Sequence, residues 1–326
     1  MKDLTRRALL AGGTSLAAGT LAGQDQLARL LDPPQGRVDA VVDSDTYNEI
    51  DDQFAVAYAL RSPDRMKIEA VYAAPYFNDR STSAGDGMRK SYAEILQILS
   101  RLNVPASGFA FEGSPTFMAG AAKPVDSASA RDLIAKAMKT RTGPLYVVTI
   151  GAPTNVSSAI LMEPKIKDRI AVVWLGGQPY DWHTASEFNL RQDIHASRVL
   201  HDSGVALVNI PTKNVSEHLR TTVSELDRFL KGKSPIADYL YNEFVAYSKT
   251  HSPGADFAWS KVIWDISAVA WLVDPRWVPS RVTPSPMLTD DVKYRAAGAG
   301  RHNVRVATNV NRDRIFNDLF QKLAKG

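Results

Sequence analysis

The chain has 326 residues, no cysteine, and 44% hydrophobic and 23% charged content, an ordinary globular composition with enough apolar mass for a sizeable core. That excludes a disordered polymer, a collagen-like chain and a disulfide-stapled mini-protein. It also excludes a thiolate zinc site, an iron–sulfur cluster and a thiol nucleophile. The formal charge is +4 with no basic block, so nucleic acid has little support as a partner.

Residues 1–23 read MKDLTRRALLAGGTSLAAGTLAG, with Arg6 and Arg7 ahead of a weakly apolar run rich in Ala, Gly, Leu and Thr. That layout predicts an export signal, and the arginine pair points to the twin-arginine route. An amphipathic N-terminal helix is the alternative. The run is too short and too rich in Gly and Thr to span a membrane stably, and no later stretch reaches membrane length. The mature chain, without Lys2, Asp3, Arg6 and Arg7, sits near +2. It is expected to be soluble, free of the membrane, and periplasmic or extracellular.

Residues 24–36 read as a linker, broken by Pro33, Pro34 and Gly36. A repeated strand–turn–helix pattern follows. Strands are expected at Val38–Asp43, Ile68–Ala74, Leu145–Ile150, Ile170–Leu175 and Val205–Ile210. Helices are expected at Gln53–Leu60, Tyr92–Leu102, Ala130–Lys139, Asn155–Leu161 and Ala196–His201. Residues 213–275 read mainly helical, with Trp264–Val273 a clear apolar helix, and Asn303–Ala307 plus Arg312–Lys325 close the chain as strand and helix. Apolar strands alternating with helices predict an α/β fold, a mostly parallel central sheet flanked by helices. No internal repeat or domain boundary interrupts it, so residues 37–326 are expected to form one domain. Ligands of such open sheets bind beyond the carboxyl ends of the strands.

That is where an acidic cluster falls. Asp43, Asp45, Glu49, Asp51 and Asp52 lie within ten residues, between a buried strand and an apolar helix. Carboxylates so concentrated repel one another unless something positive neutralises them, and hard divalent cations take oxygen ligands of this kind. Helix capping by Asn48, with Asp51 three residues on, is the other reading. It accounts for one or two acids and not for five.

The stretch DSDTYNEIDDQFAVAYAL resembles the N-terminal signature of the inosine–uridine preferring nucleoside hydrolases. The resemblance continues through IEAVYAAPYFN at 68–78, VVTIGAPTNVSSA at 147–159, VVWLGGQPYDWHTASEFN at 172–189 and WDISAVAWLVDP at 264–275. Five segments in order and at plausible spacing are specific where each alone is weak. The resemblance implies the family's open, Rossmann-like sheet and a Ca²⁺-dependent cleavage of the N-glycosidic bond of a ribonucleoside, serving purine and pyrimidine salvage. It implies Asp45, Asp52, Asp265 and the main-chain carbonyl of Ile150 as calcium ligands. Asp45 then takes a proton from the metal-bound water. Asp51, Asn78, Glu187 and Asn189 orient that water or hold the ribose hydroxyls. Members of the family commonly form homodimers or homotetramers.

Each residue also has a plainer reading taken alone. Asn78 would be a turn former, Glu187 and Asn189 loop residues, and Asp265 a helix cap.

Two departures stand out. The turn between the second and third aspartates has five residues, Thr46–Ile50, where the family usually has three. Trp264 also stands where many members carry a histidine that protonates the departing base. Indole has only an N–H donor, so Trp264 is expected to stack on the base, with Trp182 or Trp259 as alternatives, or simply to fill the core. His183 is the remaining candidate acid. Gly85-Asp86-Gly87 reads as a pocket-lining loop or a plain turn. A hydrolase of the same fold acting on another ribosylated or sugar substrate, and a non-catalytic Ca²⁺/polyol binder, remain as alternatives at this point.

Overall fold

The computed structural model describes residues 25–251, 258–296 and 300–325. The leader expected over 1–23 lies outside them. In chain order the strands are β1 (Val38–Ser44), β2 (Met66–Ala73), β3 (Ala110–Phe111), β4 (Leu145–Thr149), β5 (Ile170–Leu175), β6 (Ala206–Ile210), β7 (Arg220–Thr221), β8 (Lys261–Val262), β9 (Ser280–Pro284), β10 (Met287–Leu288), β11 (Tyr294–Arg295) and β12 (Asn303–Ala307). The helices are α1 (residues 25–31), α2 (Asp51–Leu60), α3 (Ala84–Arg101), α4 (Ala128–Ala137), α5 (Thr154–Met162), α6 (Phe188–Gln192), α7 (Ile194–Asp202), α8 (Val223–Phe229), α9 (Pro235–His251), α10 (Ile266–Val273) and α11 (Arg312–Ala324).

Eight strands form one sheet in the order β3-β2-β1-β4-β5-β6-β12-β9. All neighbours are parallel except the β12–β9 pair at the edge. Both faces are covered, which is why the strands read as unbroken apolar runs. Side chains along a strand point alternately to opposite faces, and they feed two cores here. Val42, Tyr146, Val148 and Val173 enter the core under α2, α10 and α11. Their sequence neighbours Val41, Val147 and Val172 enter the core under α5 and α7.

The strand order reverses between β1 and β4, the strands that begin the two halves of the sheet. Loops diverge there and leave a crevice at the carboxyl ends. The chain enters that crevice at Asp45, leaving β1, and at Ile150, leaving β4.

The expected strands and helices of residues 38–210 are all present. Differences lie mainly where the signal was local packing rather than periodicity. The stretch read as a linker carries α1, with Leu31 buried and its carbonyl accepting from Arg305 Nε at 2.6 Å. Gly85-Asp86-Gly87 is the first turn of α3 rather than a loop, capped by Ser83, whose Oγ accepts from Asp86 N at 3.1 Å. The helical stretch over 213–275 also contains the two-residue ladder β7–β8; residues 252–257 of it lie outside the described chain. The antiparallel edge strand β9 gave no apolar alternation to read: Arg281 and Val282 are both exposed.

Candidate active site and cation centre

The site begins where β1 runs out. Ser44 ends the strand, and its Oγ donates to Asp52 Oδ1 at 2.6 Å and shares a hydrogen bond with Thr46 Oγ1 at 2.6 Å. The chain turns back through Asn48, whose N–H donates to the Asp45 carbonyl at 2.7 Å, and starts α2 with Asp51 and Asp52. Neither acid is explained by capping. The N-cap of α2 is Ile50, with no side-chain cap, and Asn48 faces elsewhere.

The long turn is held from three sides. Asn78 Nδ2 donates to Asn48 Oδ1 at 2.7 Å. Arg80 Nη1 donates to the Glu49 carbonyl at 3.0 Å, and its guanidinium lies 4.3 Å from the centre of the Tyr47 ring. Lys261 forms an ion pair with Glu49, which places Glu49 against a lysine. Asn78 acts as a turn former: its Oδ1 also accepts from Arg80 N at 2.9 Å, closing a turn. It braces the loop and is not on the cavity wall.

Beyond β4 the chain passes close to Asp45. A Cβ at Gly151 would sit 2.9 Å from Asp45 Oδ1, so any larger residue there would push the carboxylate aside. The Ile150 carbonyl accepts from Asn189 Nδ2 at 3.1 Å, and the same nitrogen reaches the Leu175 carbonyl at 3.1 Å. Asn189 therefore ties the ends of β4 and β5 together. It lies on a short helix, α6, not on an extended loop. Glu187 is its N-cap: Oε1 accepts from Asn189 N at 3.0 Å, and Oε2 from Gly177 N at 2.8 Å and Leu190 N at 3.1 Å. Gly177 has φ +70°, a conformation that suits glycine, and this turn aims its N–H at Glu187.

Asp265 stands at the N-cap of α10 but its side chain caps nothing, so the capping reading fails there as well. Instead Asp51, Asp52 and Asp265 each bring one carboxylate oxygen within 4.8 Å of the others. Asp51 thus joins the group that the sequence assigned to Asp45, Asp52 and Asp265. Asp51 lies against Asp265, and its Oδ2 accepts from Trp264 N at 3.2 Å. Asp45 lies against Asp52, fully buried, with no donor among the described residues to either carboxylate oxygen.

Burial and mutual repulsion dominate the electrostatics. Burial, then the charges of Asp52 and Asp51, pushes Asp45 well above the usual carboxylate range. Asp52 is raised by burial and Asp51, and Asp265 by burial with Asp51 and Asp52. Asp51 is raised less, because burial is opposed by Lys261. Lys261 is itself held above its ordinary value: burial pulls it down, and Asp51 and Glu49 outweigh that. One lysine at the rim faces four buried carboxylates in the centre. Such a group is stable only if it takes up protons or a multivalent cation. The donors are all oxygens, which suits a hard ion such as Ca²⁺ better than a soft transition metal. The residues present therefore fit the cation that the sequence implied.

A cavity of about 310 Å³ opens over this floor. Asp51, Asp52, Asp265 and Ile150 line its base, with Glu187, Asn189 and Trp264 on the wall. Asp45 lies behind the lining. His183 is exposed beside the Trp182 ring and is not on the wall. Trp182 and Trp259 are also absent from it, and Trp259 packs on Phe244. Of the expected aromatic covers, only Trp264 reaches the cavity. Sequence reasoning missed Gln178, Phe188, Thr212 and Lys213, all on the wall. Gln178 directly follows the Gly-Gly turn, which was a usable signal. Thr212 and Lys213 follow β6, at a strand end, and a reading centred on carboxylates passes over them.

A family model described as inosine–uridine preferring nucleoside hydrolase matches residues 40–317. The pyrimidine-specific ribonucleoside hydrolase RihA of Klebsiella pneumoniae is 24% identical over 314 residues, covering 84% of this chain and 95% of the relative. RihA of Salmonella typhimurium is also 24% identical, covering 84% and 94%. Among solved structures, a plant nucleoside hydrolase superposes with a TM-score of 0.68 at 19% identity, over 90% of this chain and 100% of its own. The purine-preferring ribonucleoside hydrolase from Gardnerella vaginalis gives 0.67 at 21% identity, over 88% and 98%. At these identities the solved structures speak for the fold.

Proposed function

The chain belongs to the inosine–uridine preferring nucleoside hydrolase family, and from that premise we propose how its site cleaves the N-glycosidic bond of a ribonucleoside to free base and ribose. The observation that carries the reading is the group of buried carboxylates at the switch point, with both oxygens of Asp45 left without a donor among the described residues.

Asp52, Asp265 and the Ile150 carbonyl would hold a divalent cation, with Asp51 closing the same group and Asp45 lying against Asp52. Calcium is the ion proposed, because the donors are oxygen only. When bound, such an ion supplies positive charge that fixes a sugar diol and acidifies a water. Asp45 accepts the proton of the attacking water at its free carboxylate oxygens. Its raised affinity for protons suits a base in a dry site. Glu187 and Asn189, both fixed by backbone contacts, present polar edges to the ribose hydroxyls. Carboxylates around the sugar stabilise the positive charge that develops at C1′ as the bond to the base lengthens. Trp264 covers the base. Asn78 acts indirectly, by bracing Asn48 and the long turn.

The setting we propose is outside the cytoplasm. The Arg6–Arg7 leader pattern supports that reading, and among the described residues no helix is long and apolar enough to cross a membrane. The substrate is then a ribonucleoside met outside the cell. Assembly into dimers or tetramers is proposed on family grounds alone.

The test is ribose release from uridine and inosine by the unmodified protein and by Asp45→Asn. Loss of general-base catalysis is worth about 10²–10⁴-fold in rate, so Asp45→Asn is expected to lose about 10³-fold with the fold intact. Turnover equal to that of the unmodified protein would remove Asp45 from its role.

A further inference from the structure

Among the described residues no histidine lines the cavity, and the Lys213 ammonium on its wall is paired with Glu217 at 3.3 Å. His183 stands outside it, and the Trp264 indole N–H is too weakly acidic to give up its proton. Departure of the base therefore needs another form of help, and Gln178 is built to give it.

Gln178 is buried, 8% exposed, and lines the cavity. Its amide is locked in one orientation. Oε1 accepts from Lys213 N at 3.3 Å and from Thr212 Oγ1 at 3.0 Å. A backbone N–H can only donate, so the amide oxygen must face that side. Nε2 donates to the Ser186 carbonyl at 3.1 Å, and a carbonyl can only accept. An amide nitrogen carries two hydrogens, and Ser186 takes one. The second hydrogen has no protein acceptor among the described residues, on a side chain that lines the cavity and whose amide oxygen is already engaged twice.

Its position suits the base rather than the diol. The carboxylates gather at the end of β1, whereas Gln178 follows β5 and its supports follow β6. Neighbouring strands are about 4.8 Å apart, so these two ends lie roughly 10–15 Å from β1. Gln178 and the carboxylates line the same cavity from different strand ends, so a nucleoside with its diol over the carboxylates can turn its base toward Gln178.

Resting on the nucleosidase reading, we propose that Gln178 is the leaving-group donor: Nε2–H binds a ring carbonyl oxygen of the departing base. The C1′–N bond breaks and its electron pair goes to the base nitrogen, spreading onto that oxygen. The water oxygen bonds to C1′ and its proton goes to Asp45. The base anion, held by Gln178, later takes a proton from solvent. Thr212 is a positioning residue that keeps the amide oxygen turned away. A fixed donor aimed at developing negative charge is worth about 10²–10³-fold in rate.

The test compares two leaving groups on one sugar. Uracil needs help to depart, whereas p-nitrophenolate is stable as an anion. With uridine, Gln178→Met is expected to lose about 10²-fold in kcat with a smaller change in KM. With p-nitrophenyl riboside the loss is expected to be only a small factor, and turnover of that substrate shows that the variant is folded. Thr212→Val is the second variant, with a smaller loss that is again larger for uridine. Equal losses on the two substrates, in either variant, would overturn the assignment. If the unmodified protein cleaves neither substrate, the nucleosidase reading itself fails, which is a different outcome from losses that are merely equal.

Discussion

Acidic residues gather at both ends of the β1–β2 region, and the two ends treat them in opposite ways. At the amino end, Glu69 is the extra residue where the β1–β2 register shifts, a bulge that re-aims its side chain. Arg141 Nη2 meets Glu69 Oε2 at 2.6 Å and its Nη1 reaches Asp39. The hydrogen bond from Arg141 pulls Glu69 down to about 2. At the carboxyl end, Asp45, Asp51, Asp52 and Asp265 are buried together and all are pushed up. The first end is a finished ion pair. The second is a set of charges arranged for a partner the polypeptide does not supply. Burial alone does not separate structural acids from functional ones; the presence or absence of a fitted cation does.

The sharpest way to break that comparison is to remove carboxylates from the carboxyl end and the cation from the amino end. Asp52→Ala or Asp265→Ala is expected to weaken Ca²⁺ binding by roughly 10²-fold or more, measured by calorimetric titration. Binding that survives both substitutions would place the cation elsewhere. The metal-free stability of these variants is expected to hold or rise, because a buried charge without a partner has been removed.

The amino end should answer differently. Arg141→Met leaves Asp39 without its cation and Glu69 with only Lys67, and is expected to cost about 1–2 kcal/mol, lowering the melting temperature by a few degrees. Ribose release per folded molecule is expected to stay unchanged. A loss of turnover without a loss of stability would show that the two ends are not independent.

The smallest expected effect is the pH dependence of stabilisation by the cation. Carboxylates raised in the folded state stabilise the chelated protein at low pH, below their unfolded values near 4. That contribution is lost as pH rises through the folded values, which burial and mutual repulsion hold well above the usual carboxylate range. Cation binding needs the same groups ionised. The difference in melting temperature between Ca²⁺-loaded and chelated protein should therefore be small at low pH and grow to a few degrees as pH rises through those folded values. Buried His201, held at about 3 by desolvation, loses stability below its unfolded value in both forms and cancels in the difference. A constant difference from pH 5 to 8 would show that the carboxylates are not the group that binds.

Much of this was legible in the sequence because the signals were periodic or clustered. Strands such as Ile170–Leu175 announced themselves as apolar runs, and the five acids after β1 marked the switch point. α1 was not legible, because its only signals are Leu27, Leu30 and Leu31 amid breakers, and its anchor is Arg305, far along the chain. The β9 edge has no buried face to give it a period. At the site, the grouping of Asp52 with Asp265 was found and the place of Asp51 beside them was not. Proximity of Asp51 to Asp265 depends on how α10 docks on α2, which spacing does not encode. His183 was chosen because the chemistry asked for an acid, and the fold leaves it outside. Gln178 was passed over because an amide gains meaning only once Thr212 and Lys213 fix its direction.

The most direct measurement is ribose release from uridine and inosine by the purified chain after exhaustive chelation, followed by titration with Ca²⁺. The account expects no release in chelator and full recovery near one equivalent of Ca²⁺. Full turnover in chelator, or tight Ca²⁺ binding with no ribose released from either nucleoside, would contradict it.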